Sequence, residues 1–247
     1  MKFLIVFVLA TVLTAFYIQT DFLSQQMKYA RVKSANKEKE PLITEKLKTQ
    51  NLQSDDFNIL LIGLKEEKQL QLFVKNKKET TYKKLMSYEI CSSSGTAGPK
   101  RRQGDNQVPE GFYHIDRFNP VSSFYLSLGL NYPNQADRKK SSAKDLGGDI
   151  FIHGNCVSIG CMAMTDDKIK EIYLYAIHAR QNGQLKIPMY IFPFRMTSEN
   201  MIKFKNEYKG KPEISAFWDN LKIGYDIFMG SNKEIKFSID SKGNYVF

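Results

Sequence analysis

The chain has 247 residues, of which 42% are apolar, enough for one good-sized domain with appendages. Its formal net charge is +10 at pH 7, and the basic residues are scattered along the chain. Because no nucleic-acid-binding motif accompanies this charge, we interpret it as a general surface property and expect no nucleic-acid partner. We find neither metal-ligand spacing nor a phosphate-binding glycine loop, so we expect no metal and no cofactor.

The N-terminal segment is apolar and then polar. Residues 3–18 carry no charge, and the length of this run suits a signal peptide or a short membrane anchor within residues 1–20. Whether this segment is cleaved stays open. We therefore expect an exported protein, in the periplasm or on the outer face of the cytoplasmic membrane. Residues 21–56 are predicted to be a lysine-rich spacer, part helical and part flexible, that ends in a lead-in helix at 42–52.

The rest of the chain alternates between strand-like and helix-like patterns. Strands are predicted at 57–62, 70–74, 82–91, 112–115, 121–131, 150–152 and 187–194. Helices are predicted from Thr165 to about Gly183, at 198–208 and at 217–228, with a terminal hairpin at 236–247. Residues 96–111 form a basic loop rich in glycine and proline, and residues 138–145 form a polar loop.

The stretch from Asp149 to Asp167 holds the candidate chemistry. A buried strand ends at His153, and Cys161 follows eight residues later, so the two side chains can meet across one loop. An imidazole near a thiol can take its proton and stabilise the thiolate. The backbone N–H groups of Gly160 and Cys161 are candidates for an oxyanion hole. If Cys161 lies near the N-terminus of the helix that follows, the helix dipole would modestly favour the thiolate.

The other cysteines and histidines offer competing interpretations. A buried structural cysteine and a core histidine would also explain Cys161 and His153. Cys156 is the rival nucleophile, and it either pairs with Cys91 or stays unpaired. We expect His114 to be structural and His178 to be an ordinary surface residue of its helix.

The segment HGNCVSIGC resembles the catalytic signature of the L,D-transpeptidase family, whose catalytic domain is called YkuD, and most resembles its YafK-like branch. The resemblance assigns His153 as the base, Cys161 as the nucleophile, and Ser158 and Gly160 as the motif's Ser/Thr and Gly. It also implies that the carbonyl of Gly154 orients the base.

The resemblance extends from about residue 57 to the end of the chain, with two departures. Ile159 stands where many members carry a second histidine, and the gap after His153 is short; both are typical of the YafK-like branch. The Pro109-Glu110-Gly111 segment resembles a family motif that borders the active site.

The resemblance implies a mainly β domain with packed helices (α+β), of the YkuD β-sandwich or barrel-like type. It would occupy residues 57–247, with a core at 57–196 and a C-terminal extension at 197–247. We expect substrate-binding roles for Arg101, Arg102 and Tyr113, because arginine pairs well with carboxylates.

The implied activity is cysteine-dependent acyl transfer on peptidoglycan stem peptides through a thioester, in cell-wall remodelling. The alternatives are an L,D-carboxypeptidase, or an amidase that hydrolyses stem peptides or protein–peptidoglycan links. A non-catalytic wall-binding module is the second alternative. The expected partners are stem peptides and a wall-attached protein, and the oligomeric state stays open.

Overall fold

The structure is a computed structural model that describes residues 22–247. The predicted signal peptide or anchor at residues 1–20 lies outside this part of the chain. Within residues 22–247, none of the helices has both the length and the apolar character that crossing a membrane requires.

Six helices and eleven strands make up the described chain. The helices are α1 (Phe22–Gln26), α2 (Ala30–Lys48), α3 (Gln135–Lys140), α4 (Asp166–Gln181), α5 (Ser198–Glu207) and α6 (Pro212–Ser231). The strands are β1 (Phe57–Leu64), β2 (Gln69–Asn76), β3 (Lys83–Glu89), β4 (Ser92–Ser93), β5 (Gly111–Asn119), β6 (Ser127–Leu130), β7 (Phe151–His153), β8 (Met162–Ala163), β9 (Ile187–Phe192), β10 (Ser238–Ile239) and β11 (Tyr245–Val246).

Nine of the strands form one mixed sheet in the order β3-β2-β1-β9-β5-β6-β7-β8-β4. The pairs β1/β9 and β7/β8 are parallel, and the other neighbours are antiparallel. Strands β10 and β11 form a separate antiparallel pair, at the position of the predicted terminal hairpin. The expected α+β fold is confirmed.

Both faces of the central strands β1 and β9 are buried, and β1 shows how its sequence allows this. Successive side chains of a strand point to opposite faces. In β1, Ile59 and Leu61 belong to the core beneath α2 and α4, whereas Leu60 and Ile62 belong to the core beneath α5 and α6. An uninterrupted apolar run is therefore the pattern that this central strand requires.

The segment expected as a partly flexible spacer is instead helical and packed. Helix α2 buries four residues against the domain: Val32, Ala35, Ile43 and Leu47. Its charged residues pair with α4, and Lys46 contacts Glu171 at 2.9 Å. His178, expected on the helix surface, is buried and contacts Glu40 of α2 at 2.9 Å. The lysine-rich composition did not show that this segment is a packed helix. Its charged side chains form ion pairs with α4.

Two predicted elements around residues 121–145 differ from the structure. The strand expected at 121–131 is confined to Ser127–Leu130, because the chain turns before it and Tyr125 has a φ of 70°. Part of the polar loop expected at 138–145 belongs to α3, which begins earlier. A capping box between Asn134 and Asp137 starts that helix.

Candidate active site

Strands β7 and β8 bring the candidate base and nucleophile together. They run parallel, with Ile152 opposite Met162 and His153 opposite Ala163. Cys161 directly precedes β8. It therefore lies two positions before Ala163, the residue opposite His153. Side chains two positions apart share a face of the sheet. Both residues line one cavity of about 460 Å³.

His153 is held as a neutral acceptor. Its Nδ1–H donates to the Gly154 carbonyl at 2.6 Å, the contact that the resemblance implies for that carbonyl. This bond leaves Nε2 without a proton. Burial lowers the pKa of His153, so the ring is neutral at pH 7; the hydrogen bond to Gly154 opposes that shift. The Phe124 ring packs against the imidazole, with centroids 4.6 Å apart.

Gly154 fits where a larger residue would not. Its N–H lies 3.0 Å from the Phe124 carbonyl, which ties the end of β7 to the preceding loop. A Cβ at this position would lie 2.5 Å from Asp166 Oδ1. The glycine therefore lets the chain that carries the base pass close to the start of α4.

Cys161 carries a protonated thiol at rest. Its Sγ accepts the Phe151 N–H at 3.4 Å and lies 3.7 Å from the Asp149 carbonyl. Burial raises the pKa of the thiol, the Phe151 N–H opposes that shift, and the nearby Asp149 adds to it. The expectation that the N-terminus of α4 favours the thiolate stays a prediction, and burial remains the largest influence on the pKa of this thiol.

The described residues show no direct hydrogen bond between His153 and Cys161, and such contacts often tighten only when substrate binds. The resting pair is thus a neutral imidazole beside a protonated thiol, within one cavity. This state suits a base that accepts the thiol proton as the sulfur attacks.

The Ser158 hydroxyl binds the two backbone N–H groups that the sequence suggested for an oxyanion hole. Its Oγ accepts the Gly160 N–H at 3.2 Å and the Cys161 N–H at 2.9 Å. It donates to the Cys161 carbonyl at 2.7 Å. Gly160 has a φ of +136°, a conformation that favours glycine and closes this turn. The expected oxyanion hole is therefore not open in the resting structure.

A disulfide decides between the two candidate nucleophiles. Cys91 and Cys156 are bonded, with Cα atoms 5.3 Å apart, and Cys161 is free. The Cys91 N–H also donates to the Ala163 carbonyl, and the Cys156 N–H to the Met164 carbonyl. Since a disulfide-bonded sulfur is not a free thiol, Cys161 is the nucleophile candidate that remains.

The three residues predicted to bind substrate do not line the cysteine cavity. Tyr113 is buried, and its hydroxyl donates to the Asp137 carboxylate at 3.0 Å. Arg101 contacts the same carboxylate at 3.3 Å and, together with Arg102, lines a second cavity. The sequence identified the loop as basic but did not show that Arg101 and Arg102 line a cavity other than that of Cys161.

Other residues do line the cysteine cavity and were not predicted to do so. Phe124, Asp149, Phe151 and Val157 are among them. Phe124 was expected inside a strand, and nothing in its local sequence shows that the chain turns there. Asp149 and Phe151 flank the buried Ile150 just before the motif, and that proximity was the available signal.

Comparison with known proteins identifies the family. The model of the YkuD L,D-transpeptidase catalytic domain matches residues 58–187. The chain belongs to the YkuD L,D-transpeptidase family. It is also 41% identical over 184 residues to the Escherichia coli (strain K12) protein named "Putative L,D-transpeptidase YafK", covering 74% of this chain and 70% of that one. The predicted family is thus confirmed.

Solved structures resemble the chain more distantly. The helical cell shape determining protein Pgp2 of Campylobacter jejuni is 20% identical, with a TM-score of 0.45 and 74% of each chain covered. A point variant of Pgp2 has the same TM-score, and this chain spans 57% of its length. Bd1075 of Bdellovibrio bacteriovorus is 23% identical, with a TM-score of 0.39 over 56% of this chain and 48% of that one.

Proposed function

We propose that this YkuD-family protein is a cysteine acyltransferase that acts on peptidoglycan stem peptides. The observation that carries the proposal is the shared cavity of the free Cys161 thiol and the neutral His153 ring. The arrangement provides a nucleophile and a base held by adjacent strands, which is what nucleophilic catalysis requires.

The proposed reaction has two steps. In the first, His153 Nε2 takes the Cys161 proton while the sulfur attacks the carbonyl of the L-centre of a diamino acid at an L,D bond. The imidazolium then gives that proton to the leaving amine as the C–N bond breaks, and a thioester remains. In the second, His153 deprotonates the acceptor as it attacks the thioester, the C–S bond breaks, and the imidazolium returns the proton to the sulfur. An amine acceptor gives transpeptidation and water gives hydrolysis.

The transition state needs hydrogen-bond donors that stabilise its oxyanion. At rest, the Gly160 and Cys161 N–H groups bind Ser158 Oγ. A rotation of the Ser158 side chain away from this turn would release both N–H groups toward the cavity that Cys161 lines. We therefore propose that the oxyanion hole opens when substrate binds.

Products identified by mass test the proposed function. The purified protein is incubated with muropeptides, with and without a free amine acceptor. We expect cross-linked products when the acceptor is present, no product with Cys161→Ala, and parent-like products with the control His114→Ala. Shortened stem peptides alone would make the protein a hydrolase, a carboxypeptidase or an amidase. Turnover by Cys161→Ala would contradict the proposal.

We also propose that the protein is exported, with the apolar residues 3–18 directing it across the cytoplasmic membrane. The Cys91–Cys156 disulfide supports this location, because disulfides persist in oxidising compartments. A reporter that is active only outside the cytoplasm, fused after Lys48, should be active. A silent reporter that becomes active when moved behind an unrelated signal peptide would contradict the location.

A further inference from the structure

A second cavity of about 440 Å³ shares no lining residue with the cysteine cavity. It lies where the basic loop, the end of α3 and the start of α6 meet. Three cationic side chains line it, Arg101, Arg102 and Lys140, against the single carboxylate of Glu213. The cavity therefore carries an excess of positive charge.

Two of these cations are held close together over the same aromatic ring. The Arg101 guanidinium carbon lies 4.9 Å from the centroid of the Phe217 ring, and Lys140 Nζ lies 5.9 Å from it. Lys140 Nζ donates to the uncharged Asn244 Oδ1 at 2.6 Å. Burial and, second, the charge of Arg101 lower the pKa of Lys140, and the Asp240 carboxylate opposes that shift. Like charges held this way repel each other, and an anion between them would relieve that repulsion.

Hydrogen-bond donors remain available on both arginines. Arg101 uses Nη1 to contact Asp137 and the Lys100 carbonyl. Across residues 22–247, neither its Nε and Nη2 nor the guanidinium of Arg102 donates a hydrogen bond to another residue. A guanidinium presents five donors in a planar fork that matches a carboxylate. The cavity thus combines positive charge with guanidinium N–H groups that donate no hydrogen bond within residues 22–247.

The remaining lining is largely apolar, from Pro99, Ala143, Ile214 and Phe217. Such a surface suits the carbon stem of an organic acid better than a fully hydrated inorganic ion. We propose that this cavity binds a carboxylate borne on a short carbon stem of a peptide, as in an acidic side chain. The site is separate from the cysteine cavity, and its binding does not depend on the proposed acyl transfer.

Titration of the whole protein, followed by backbone amide chemical shifts, tests the proposal. The probe is N-acetylglutamate whose α-carboxylate is blocked as a methylamide, N-acetylglutamine blocked in the same way is its uncharged match, and inorganic phosphate tests for charge alone. We expect saturable shifts at residues 101–102 and 141–143, with N-acetylglutamate binding at least about tenfold more tightly than either other compound. Equal binding of phosphate, or shifts absent from this cavity, would overturn the proposal.

A matched pair of charge reversals locates the site. Arg102 is exposed, so Arg102→Glu is expected to fold and to weaken N-acetylglutamate binding by about tenfold or more. Arg138 is also exposed, on α3 outside the cavity, so Arg138→Glu carries the same change of charge and should bind like the parent. Equal weakening by both variants would show only a general effect of net charge and would overturn the proposal.

Discussion

The Ser158 hydroxyl holds both backbone polar groups of Cys161, accepting its N–H at 2.9 Å and donating to its carbonyl at 2.7 Å. The same oxygen also accepts the N–H of Gly160. One side chain thereby fixes the turn that precedes β8. The direction in which the sulfur points depends on this turn.

Replacing Ser158 by alanine should loosen the nucleophile. The change removes three hydrogen bonds, so we expect the free energy of unfolding to fall by about 1–3 kcal/mol. Although the change also frees the Gly160 and Cys161 N–H groups, thioester formation should slow by about tenfold or more, because small displacements of reacting groups are costly. The measurements are chemical denaturation and single-turnover rates. Ser158→Thr, which keeps the hydroxyl, is the control, and an alanine variant that reacts as fast as the parent would contradict this role.

Arg31 of α2 is predicted to position the base indirectly. Its Nη1 donates to the Ser122 carbonyl at 2.5 Å and to the Tyr125 carbonyl at 2.6 Å. The loop between these residues carries Phe124, which packs on His153. Arg31→Ala should therefore lower the rate of thioester formation with little change in substrate affinity. Arg31→Lys should lose less.

The control for Arg31 is Lys37→Ala, which removes an exposed cation from the same helix. It should leave the rate unchanged. A parallel loss of rate in both variants would show that the helix acts only through its general charge.

The Cys91–Cys156 disulfide is expected to stabilise the site loop. It closes a sequence separation of 65 residues. In the chain-entropy account such a crosslink contributes about 2–4 kcal/mol to the free energy of unfolding. Reductant should lower the denaturation midpoint of the parent but not that of the Cys91→Ser, Cys156→Ser double variant. If complete reduction leaves the denaturation midpoint of the parent unchanged, this role is refuted.

The Asp137 carboxyl should make the free energy of unfolding depend on pH. Burial raises its pKa to about 6 from a usual 3.8. The folded state then keeps the proton to a higher pH than the unfolded chain does. Its contribution to the free energy of unfolding is therefore present at low pH and declines as pH rises from about 4 to about 6.

Comparison with Asp137→Asn isolates this contribution, since asparagine does not titrate. The parent's stability relative to the variant should decrease across that pH interval and level off above it. Denaturant unfolding at several pH values measures the difference. A relative gain in parent stability with rising pH would contradict the sign of the shift.

Patterns within single elements were sufficient to predict much of the sheet. The apolar run of β1 and the strand end at His153 follow from local composition, and the family motif pointed to Cys161. The turn at Tyr125 was not predictable in this way, because Arg31 contacts it from more than 90 residues away. The pairing of Cys91 with Cys156 likewise depends on β4 lying beside β8.

The substrate-binding roles of Arg101, Arg102 and Tyr113 stay a prediction, although none of the three lines the cysteine cavity. The basic loop was visible in the sequence, yet its direction depends on buried contacts that no local pattern shows. Glu110 is fully buried and contacts Lys65 at 2.9 Å and the Trp218 Nε1–H at 2.9 Å. The Asp137 contact fixes Arg101, which lines the second cavity and not the cysteine cavity.

The most direct test of the account is the mass of the intact protein after brief mixing with a stem peptide, across a range of pH. We predict an acyl adduct on Cys161 whose rate of formation falls as pH drops through the lowered pKa of His153. His153→Ala should slow the adduct by roughly 10²–10⁴-fold, the usual contribution of general-base catalysis. Adduct formation at the parent rate in His153→Ala, or an adduct that persists in Cys161→Ala, would contradict the account.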